Sequence, residues 1–211
     1  ACGLADRAAA LTSSHFCTAE RQYRTPLTYG GKRTPTAQWT ATAAGAVLLT
    51  PTGRGPQVGA VCFGRVRDFD VTDINNMGAA MAPAAAETLL RFFARSGRRP
   101  EDYDAIYTGD LGFVGSRLLL EILQAEGLPL QNHQDCGLLL YDRARQQVKA
   151  GGSGAGCSAA VLAAHILPGL AKGQLRRVLL LSTGALMSQT TFLQGETIPG
   201  IAHCVELGGL V

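Results

Sequence analysis

The stretch Gly151-Gly152-Ser153-Gly154-Ala155-Gly156-Cys157-Ser158 sets four glycines and a thiol between a polar segment and an apolar helical run. Loops that hold ligands tend to lie at such junctions. The spacing from Gly151 to Gly156 matches the front of a phosphate-binding Walker loop, but that loop needs a lysine, and Cys157 occupies its place. A nucleotide cradle is therefore excluded. Two readings stay open. A thiol at a helix start has its thiolate favoured by the helix dipole and free N–H groups, yet no general base is visibly paired with Cys157. Alternatively, the small residues let the helix start approach neighbouring backbone closely, with glycine tolerating positive φ.

Working outward from this run, the apolar periodicity alternates between strands and helices. Downstream, a helix is expected over Cys157 to Ala171, carrying Val161, Leu162, His165 and Ile166. A strand follows at Val178 to Leu181, and Ile201 to Leu207 closes the sheet. Upstream lie an apolar strand at Gly137 to Tyr141 and a turn at Asp142 to Gln147. Before these come a helix from Ser116 to Glu126, a buried strand at Ala105 to Thr108 and a helix from Ala84 to Ser96 ending at Gly97. Earlier still, Val58 to Phe69 reads as a strand. The order from Val58 onward is β-α-β-α-β-α-β-β, which specifies an α/β fold with a mixed five-stranded sheet covered by helices.

The first residues are more broken. Ala8 to Leu11 reads as a short buried strand leading into the polar turn Thr12 to His15, which caps a short helix from Phe16 to Tyr23. Arg24 to Gln38 is a Pro/Gly-rich loop. Trp39 to Thr50 reads as a strand ending at Pro51, paired as a hairpin with Val58 to Phe69 across the turn at Gly53 to Pro56.

Composition narrows the function classes. At 211 residues and 46% hydrophobic content, the chain can bury a substantial core. The net charge of +3 is spread over scattered arginines and lysines that read mostly as solvated helix faces. Only 6% of residues are aromatic, so a base-stacking nucleic-acid binder is disfavoured. The six cysteines show no C-x-x-C spacing, which supports neither a zinc site nor a disulfide framework. They read as small hydrophobes in a reducing compartment. No apolar run reaches the ~18 residues of a membrane span, and no signal peptide opens the chain, so membrane association is expected to be peripheral.

In such sheets ligands bind beyond the carboxyl ends of the strands. Three small-residue loops meet there: Gly109-Asp110-Leu111-Gly112, the glycine run, and Ser182-Thr183-Gly184-Ala185. The candidate ligand-binding residues are His15, Asp110, Ser153, Gly154, Cys157, Thr183 and His203. Asp110 can accept hydrogen bonds or touch a cation, although an aspartate after a strand is equally often a helix cap. Ser153 and Thr183 can donate to a carboxylate. His15 and His203 divide evenly between a pocket role and ordinary hydrogen-bonded histidine.

Several longer runs then carry a resemblance. They are Thr12 to His15, Ala19 to Arg24, Pro35 to Thr40, Asn75-Asn76-Met77-Gly78-Ala79-Ala80-Met81-Ala82-Pro83-Ala84, Tyr107 to Gly112, the glycine run, and Gly195 to His203. Together they resemble the stage V sporulation protein AD family, which is similar in fold to thiolases and ketoacyl synthases. The resemblance implies a thiolase-like fold of two similar β-α-β-α-β-α-β-β halves. Residues 1–55 would then be the remnant of an incomplete first half, and residues 56–211 a complete second half. The segment holding the reactive cysteine of thiolase-type enzymes would lie outside this chain. A remnant sheet would leave an edge and apolar faces uncovered, implying poor solubility or dependence on a partner segment.

The same resemblance bears on chemistry. In the ketoacyl-synthase branch the loop at residues 108–112 carries a catalytic histidine and the loop at Ser153 a catalytic asparagine. Here the first loop reads Thr108-Gly109-Asp110-Leu111-Gly112, without a histidine, and Ser153 stands about where the asparagine would be, removing donors typically worth ~10²–10³-fold each. The implied function is non-catalytic: binding of dipicolinic acid as its calcium chelate, for uptake into the developing spore as part of a membrane transport complex. No resident cofactor is implied, and calcium enters only with the ligand. The partners implied are dipicolinic acid and other stage V sporulation membrane proteins, with a homodimer possible and no nucleic acid. The implied location is peripheral, on the cytosolic side of the forespore inner membrane. N–H donors of Gly154 to Cys157 would hold the ligand; Lys32 and Arg33 read first as solvated surface residues, with added charge at the site the alternative. The competing readings are an acyltransferase or thiolase-like enzyme using Cys157 or Cys17 on a coenzyme A thioester, and a purely structural subunit.

Overall fold

The computed structural model of the chain describes residues 5–17 and 33–209. In chain order its strands and helices are β1 (Ala8–Ser14), β2 (Trp39–Thr40), β3 (Ala43–Leu49), β4 (Gln57–Cys62), α1 (Met77–Ser96), β5 (Ala105–Thr108), α2 (Gly112–Ala125), β6 (His133–Asp135) and α3 (Cys136–Leu140). They continue as β7 (Gly152–Ser153), α4 (Ala155–Val161), α5 (Leu167–Ala171), β8 (Arg177–Ala185), α6 (Gln189–Leu193) and β9 (Gly200–Gly208). The expected helix at Phe16 to Tyr23 and much of the loop after it lie outside the described residues.

Among the described residues, a five-stranded mixed sheet runs in the order β4-β9-β8-β5-β6. Strands β8, β5 and β6 are parallel, while β9 is antiparallel to both β8 and β4. The expected element order and mixed sheet are present. Alternate residues of β8 supply two cores, as a pleated strand requires. Leu179 and Leu181 face α1 and α2 with Leu89, Leu119 and Leu123, while Val178 and Leu180 face α4 and α5 with Val161, Ile166 and Leu170. Leu181 is fully buried, so Leu181→Ala should cost about 2–5 kcal/mol.

Helix α1 begins seven residues before the expected Ala84. Asn76 caps it by accepting from the Ala79 N–H, and Pro83 is carried inside the helix instead of starting it. Packing offsets the lost hydrogen bond there: α1 lies so close to α2 that a Cβ on Gly78 would sit 2.6 Å from the Leu111 carbonyl oxygen. Helix α2 likewise starts at Gly112, before Ser116.

Other expectations are corrected. The apolar run Gly137 to Tyr141 is mostly helix α3, capped by the Asp135 side chain, and the strand is the preceding polar triplet His133–Asp135. A short apolar run does not distinguish buried strand from buried helix, and the cap decides it. The expected strand Trp39 to Thr50 is two strands: β2 pairs in parallel with β7 of the glycine run, and β3 pairs antiparallel with β1. The break falls at fully buried Ala41, whose N–H donates to the Ser153 carbonyl. No hairpin joins β3 to β4, because β4 pairs with β9 in the other sheet. Strand β4 stops at Cys62, followed by an isolated bridge from Arg67 to Gly200. Strand β9 is interior to the sheet, not at its edge. The expected helix Cys157 to Ala171 contains a π turn at Leu162–Ile166. Leu167 N–H donates to the Leu162 carbonyl there, just ahead of Pro168, which has no N–H to continue the regular ladder.

Strand β1 is longer than expected and not buried: β1 and β3 form a separate two-stranded sheet with one bare face. Its inner face touches α4, where a Cβ on Gly45 would lie 2.4 Å from the Ala159 carbonyl oxygen. On its outer face Leu11 is 70% and Leu48 65% exposed. Of the described cysteines, Cys62, Cys136, Cys157 and Cys204 are buried and Cys17 is exposed, all as free thiols. Among the described residues no helix is long and apolar enough to cross a membrane.

Candidate ligand-binding site

Parallel strands β5 and β8 run side by side, and β5 ends at Thr108 in a tight loop. Strand β8 continues to Ala185, so the expected loop Ser182 to Ala185 is instead strand paired with β9, and Thr183 lies on it beside the loop after β5. Gly109 after β5 is forced by proximity, since a Cβ there would lie 2.9 Å from Thr183 Oγ1. The next residue, Asp110, is the hub. Thr183 Oγ1 donates to Asp110 Oδ1 at 2.9 Å and accepts from the Asp110 N–H at 3.1 Å. Ser153 Oγ donates to Asp110 Oδ2 at 3.1 Å, and the Gly154 N–H donates to the same oxygen at 2.9 Å. Gly154 reaches this position with φ 103°, which side-chain-bearing residues rarely adopt. Four of the sequence-derived candidates, Asp110, Ser153, Gly154 and Thr183, thus meet at one carboxylate.

Burial pushes the Asp110 carboxyl above the ordinary carboxylate range, against the three donors that hold its ionised form. A carboxylate offers about four acceptor positions. The three donated bonds leave one on Oδ1, at the floor of a cavity of about 790 Å³.

His15 also lines this cavity, at the end of β1. Ser14 beside it donates to the Ala41 carbonyl and accepts from the Gly156 N–H, tying β1 to the start of α4. Cys157 and His203 stand elsewhere. The Cys157 thiol is fully buried under the sheet, and burial together with the Asp110 charge pushes its pKa far above the ordinary thiol range. His203 is exposed on β9, where its Nδ1 accepts from the Gly64 N–H beside Phe63. Three of the four N–H donors expected of Gly154 to Cys157 are already spent within the protein. Gly154 N–H goes to Asp110, Gly156 N–H to Ser14, and Cys157 N–H to the Gly154 carbonyl. Arg33 lies 3.8 Å over the Trp39 ring, away from the cavity lining, and Lys32 lies outside the described residues.

Three further features were not read from the sequence. Buried Gln38 donates through Nε2 to the carbonyls of Asp110 and Gly152, bracing both loops. Asp135 accepts from the N–H groups of Leu111 and Gly112 and from the Thr108 hydroxyl, fixing the loop that carries Asp110. Its pKa is raised to about 6, first by burial and further by the Asp110 charge. The third is an apolar wall of Ile74, Met77, Met81 and Met187. Among the described residues no lysine, arginine or cysteine lines the cavity, and no cluster of three or more His, Cys, Asp or Glu side chains is placed to hold a metal.

A five-stranded β-α-β-α-β-α-β-β sheet with its cavity at the carboxyl ends of β5 and β8 defines a thiolase-like fold. Solved condensing enzymes share it. AbyA1, a tetronic acid condensing enzyme, superposes with a TM-score of 0.54 at 16% identity, over 99% of this chain and 61% of that one. The 3-oxoacyl-(acyl carrier protein) synthase III of Pseudomonas aeruginosa gives 0.50 at 17% identity, over 99% and 60%. These likenesses establish the fold. The sequence identifies the family: stage V sporulation protein AD matches over residues 1–208, and the chain belongs to that family. Stage V sporulation protein AD of Bacillus subtilis (strain 168) is 50% identical over 204 residues, 96% of this chain. The chain spans 60% of that relative's length.

Proposed function

We propose that the Asp110 cavity binds a calcium chelate of dipicolinic acid without transforming it, serving the ligand's uptake into the developing spore. The observation that carries this reading is the charge of the cavity. Its floor is a carboxylate held only by neutral donors, with no lysine or arginine among the described residues lining it. A free dicarboxylate would meet repulsion there. A chelate whose two carboxylates are neutralised by Ca²⁺ would not, and the remaining acceptor position on Asp110 Oδ1 suits a hard cation that prefers oxygen ligands. One protein carboxylate cannot satisfy the 6–8 ligands calcium takes, so the chelate and water supply the rest.

The non-catalytic part of the reading is supported by a loop at residues 108–112 without a histidine and by Ser153, about where an asparagine would act, donating instead to Asp110. It is supported also by the protonated, buried state of Cys157. Membership of a transport complex and a peripheral place at the spore inner membrane belong to the same proposal and rest on the family resemblance alone. The bare outer face of β1–β3, with exposed Leu11 and Leu48, fits a remnant first half that packs against further sheet and helix in a protein of the relatives' length. Calorimetric titration of dipicolinate with and without calcium, alongside an assay for thiol-dependent thioester turnover, tests the reading. Saturable calcium-dependent binding without turnover supports it; turnover abolished by iodoacetamide supports the enzyme instead.

A further inference from the structure

The chain contains three methionines, and all three line the Asp110 cavity. Met77 and Met81 lie one helical turn apart at the start of α1, so both face the same way. That turn is fixed beside the Asp110 loop by the Asn76 cap and by the contact of Gly78 with Leu111 and Gly115. Met187 arrives from the other side, on the loop after β8. It is held by the bond from Leu186 N–H to the Pro199 carbonyl and by packing with Ala80 and Ile198. The cavity therefore has a polar floor at Asp110, Ser153 and Thr183 and a polarisable thioether wall.

From this juxtaposition we propose that Met77 and Met187, backed by the fully buried Met81, form the ring-facing wall of the site and select a flat aromatic acid over a saturated one bearing the same donors. The inference rests on the ligand reading above. Thioether sulfur attracts aromatic rings beyond the packing a hydrocarbon gives, and unbranched methionine fits a flat face that branched side chains would not. Asp110 meets the charged edge of the ligand while the methionines cover its face. Selectivity for the ring and affinity for the chelate thus lie on different residues.

The test compares pyridine-2,6-dicarboxylate with cis-piperidine-2,6-dicarboxylate, each with calcium. The piperidine compound keeps the nitrogen and both carboxylates but loses the aromatic ring. The protein should prefer the pyridine compound by about tenfold, as two to three sulfur–ring contacts would provide. The triple variant Met77→Leu, Met81→Leu, Met187→Leu should lose most of that preference, its affinity for the pyridine compound falling further than its affinity for the piperidine compound. A second readout does not depend on the variant folding. In methyl-labelled protein, the methionine methyl resonances should move upfield with the pyridine compound, by ring current, and not with the piperidine compound. Equal affinity for both compounds, or unmoved methyl resonances at saturation, overturns the methionine wall while leaving the ligand reading in place. Binding of neither compound overturns both.

Discussion

Thr183 Oγ1 and Asp110 exchange two hydrogen bonds, the hydroxyl donating to the carboxylate and accepting from the backbone N–H of the same residue. This reciprocal pair ties the loop after β5 to β8 and holds the carboxylate at the cavity. Thr183→Val keeps the shape but leaves the Asp110 N–H and Oδ1 each short of a partner. It should cost about 1–3 kcal/mol of stability in denaturant unfolding, whereas Thr183→Ser should recover most of it. An unchanged midpoint for the valine variant would show that the pair does not hold the loop.

Stability should respond to pH through a second pair. Thr108 Oγ1 donates to Asp135 and therefore accepts from His133 Nε2, at 3.0 Å. Burial lowers His133 to about 4 and raises Asp135 to about 6. The His133 contribution is whole above its ordinary value of 6.5 and is lost as pH falls through about 4. The Asp135 contribution is whole below its ordinary 3.8 and is lost as pH rises through about 6. The two oppose each other between those limits, each worth about 3 kcal/mol at ~1.4 kcal/mol per pH unit. Asp135→Asn should therefore lose stability as pH drops from 6.5 to 4, and His133→Gln should gain it, while the wild type is flatter than either. Unfolding curves at pH 4, 5 and 6.5 check the signs.

Gly156 admits no side chain, because a Cβ there would stand 2.0 Å from the Ala43 carbonyl oxygen. Gly156→Ala should push β3 away from α4 at a cost of about 1–3 kcal/mol, comparable to other overpacking changes. The reading of the glycine run as a close-packing element predicts this loss, and a neutral substitution would refute it.

Thiol chemistry should follow burial. Among the described cysteines, exposed Cys17 should be alkylated by iodoacetamide first, while Cys136, Cys157 and Cys204 resist it in the folded protein, their thiols held protonated by burial. Peptide mass spectrometry after timed alkylation reads the order directly.

The sheet and the hub of the site were legible in the sequence for one reason. The carboxyl ends of Ala105–Thr108 and of the strand at Val178 carry small polar residues, and in an alternating α/β chain those ends converge. Asp110, Ser153, Gly154 and Thr183 followed from position alone. What stayed hidden depends on packing between distant segments. Nothing local marks Gln38 as a brace or the three methionines as one wall. Asp135 hid because it decides between strand and helix for the apolar run after it, and capping side chains look like any other loop aspartate. For His203 the sequence leaves a pocket role and an ordinary hydrogen-bonded histidine evenly balanced, and the pleat of β9 decides for the second, turning it away from Ala202 and Cys204, which face the core.

The central claim is that Asp110 receives the calcium of a neutral dipicolinate chelate. Calorimetric titration of this chain and of the full-length Bacillus subtilis relative, with wild-type and Asp110→Asn proteins, tests it most directly. The asparagine keeps the shape, and the Ser153 and Thr183 hydroxyls can turn to suit it. The account predicts one saturable, calcium-dependent site in the wild type and at least about tenfold weaker binding in the variant, in line with charge-assisted bonds worth about 1.5–3 kcal/mol. Equal affinity in wild type and variant, or equal binding of dipicolinate with and without calcium, would contradict it.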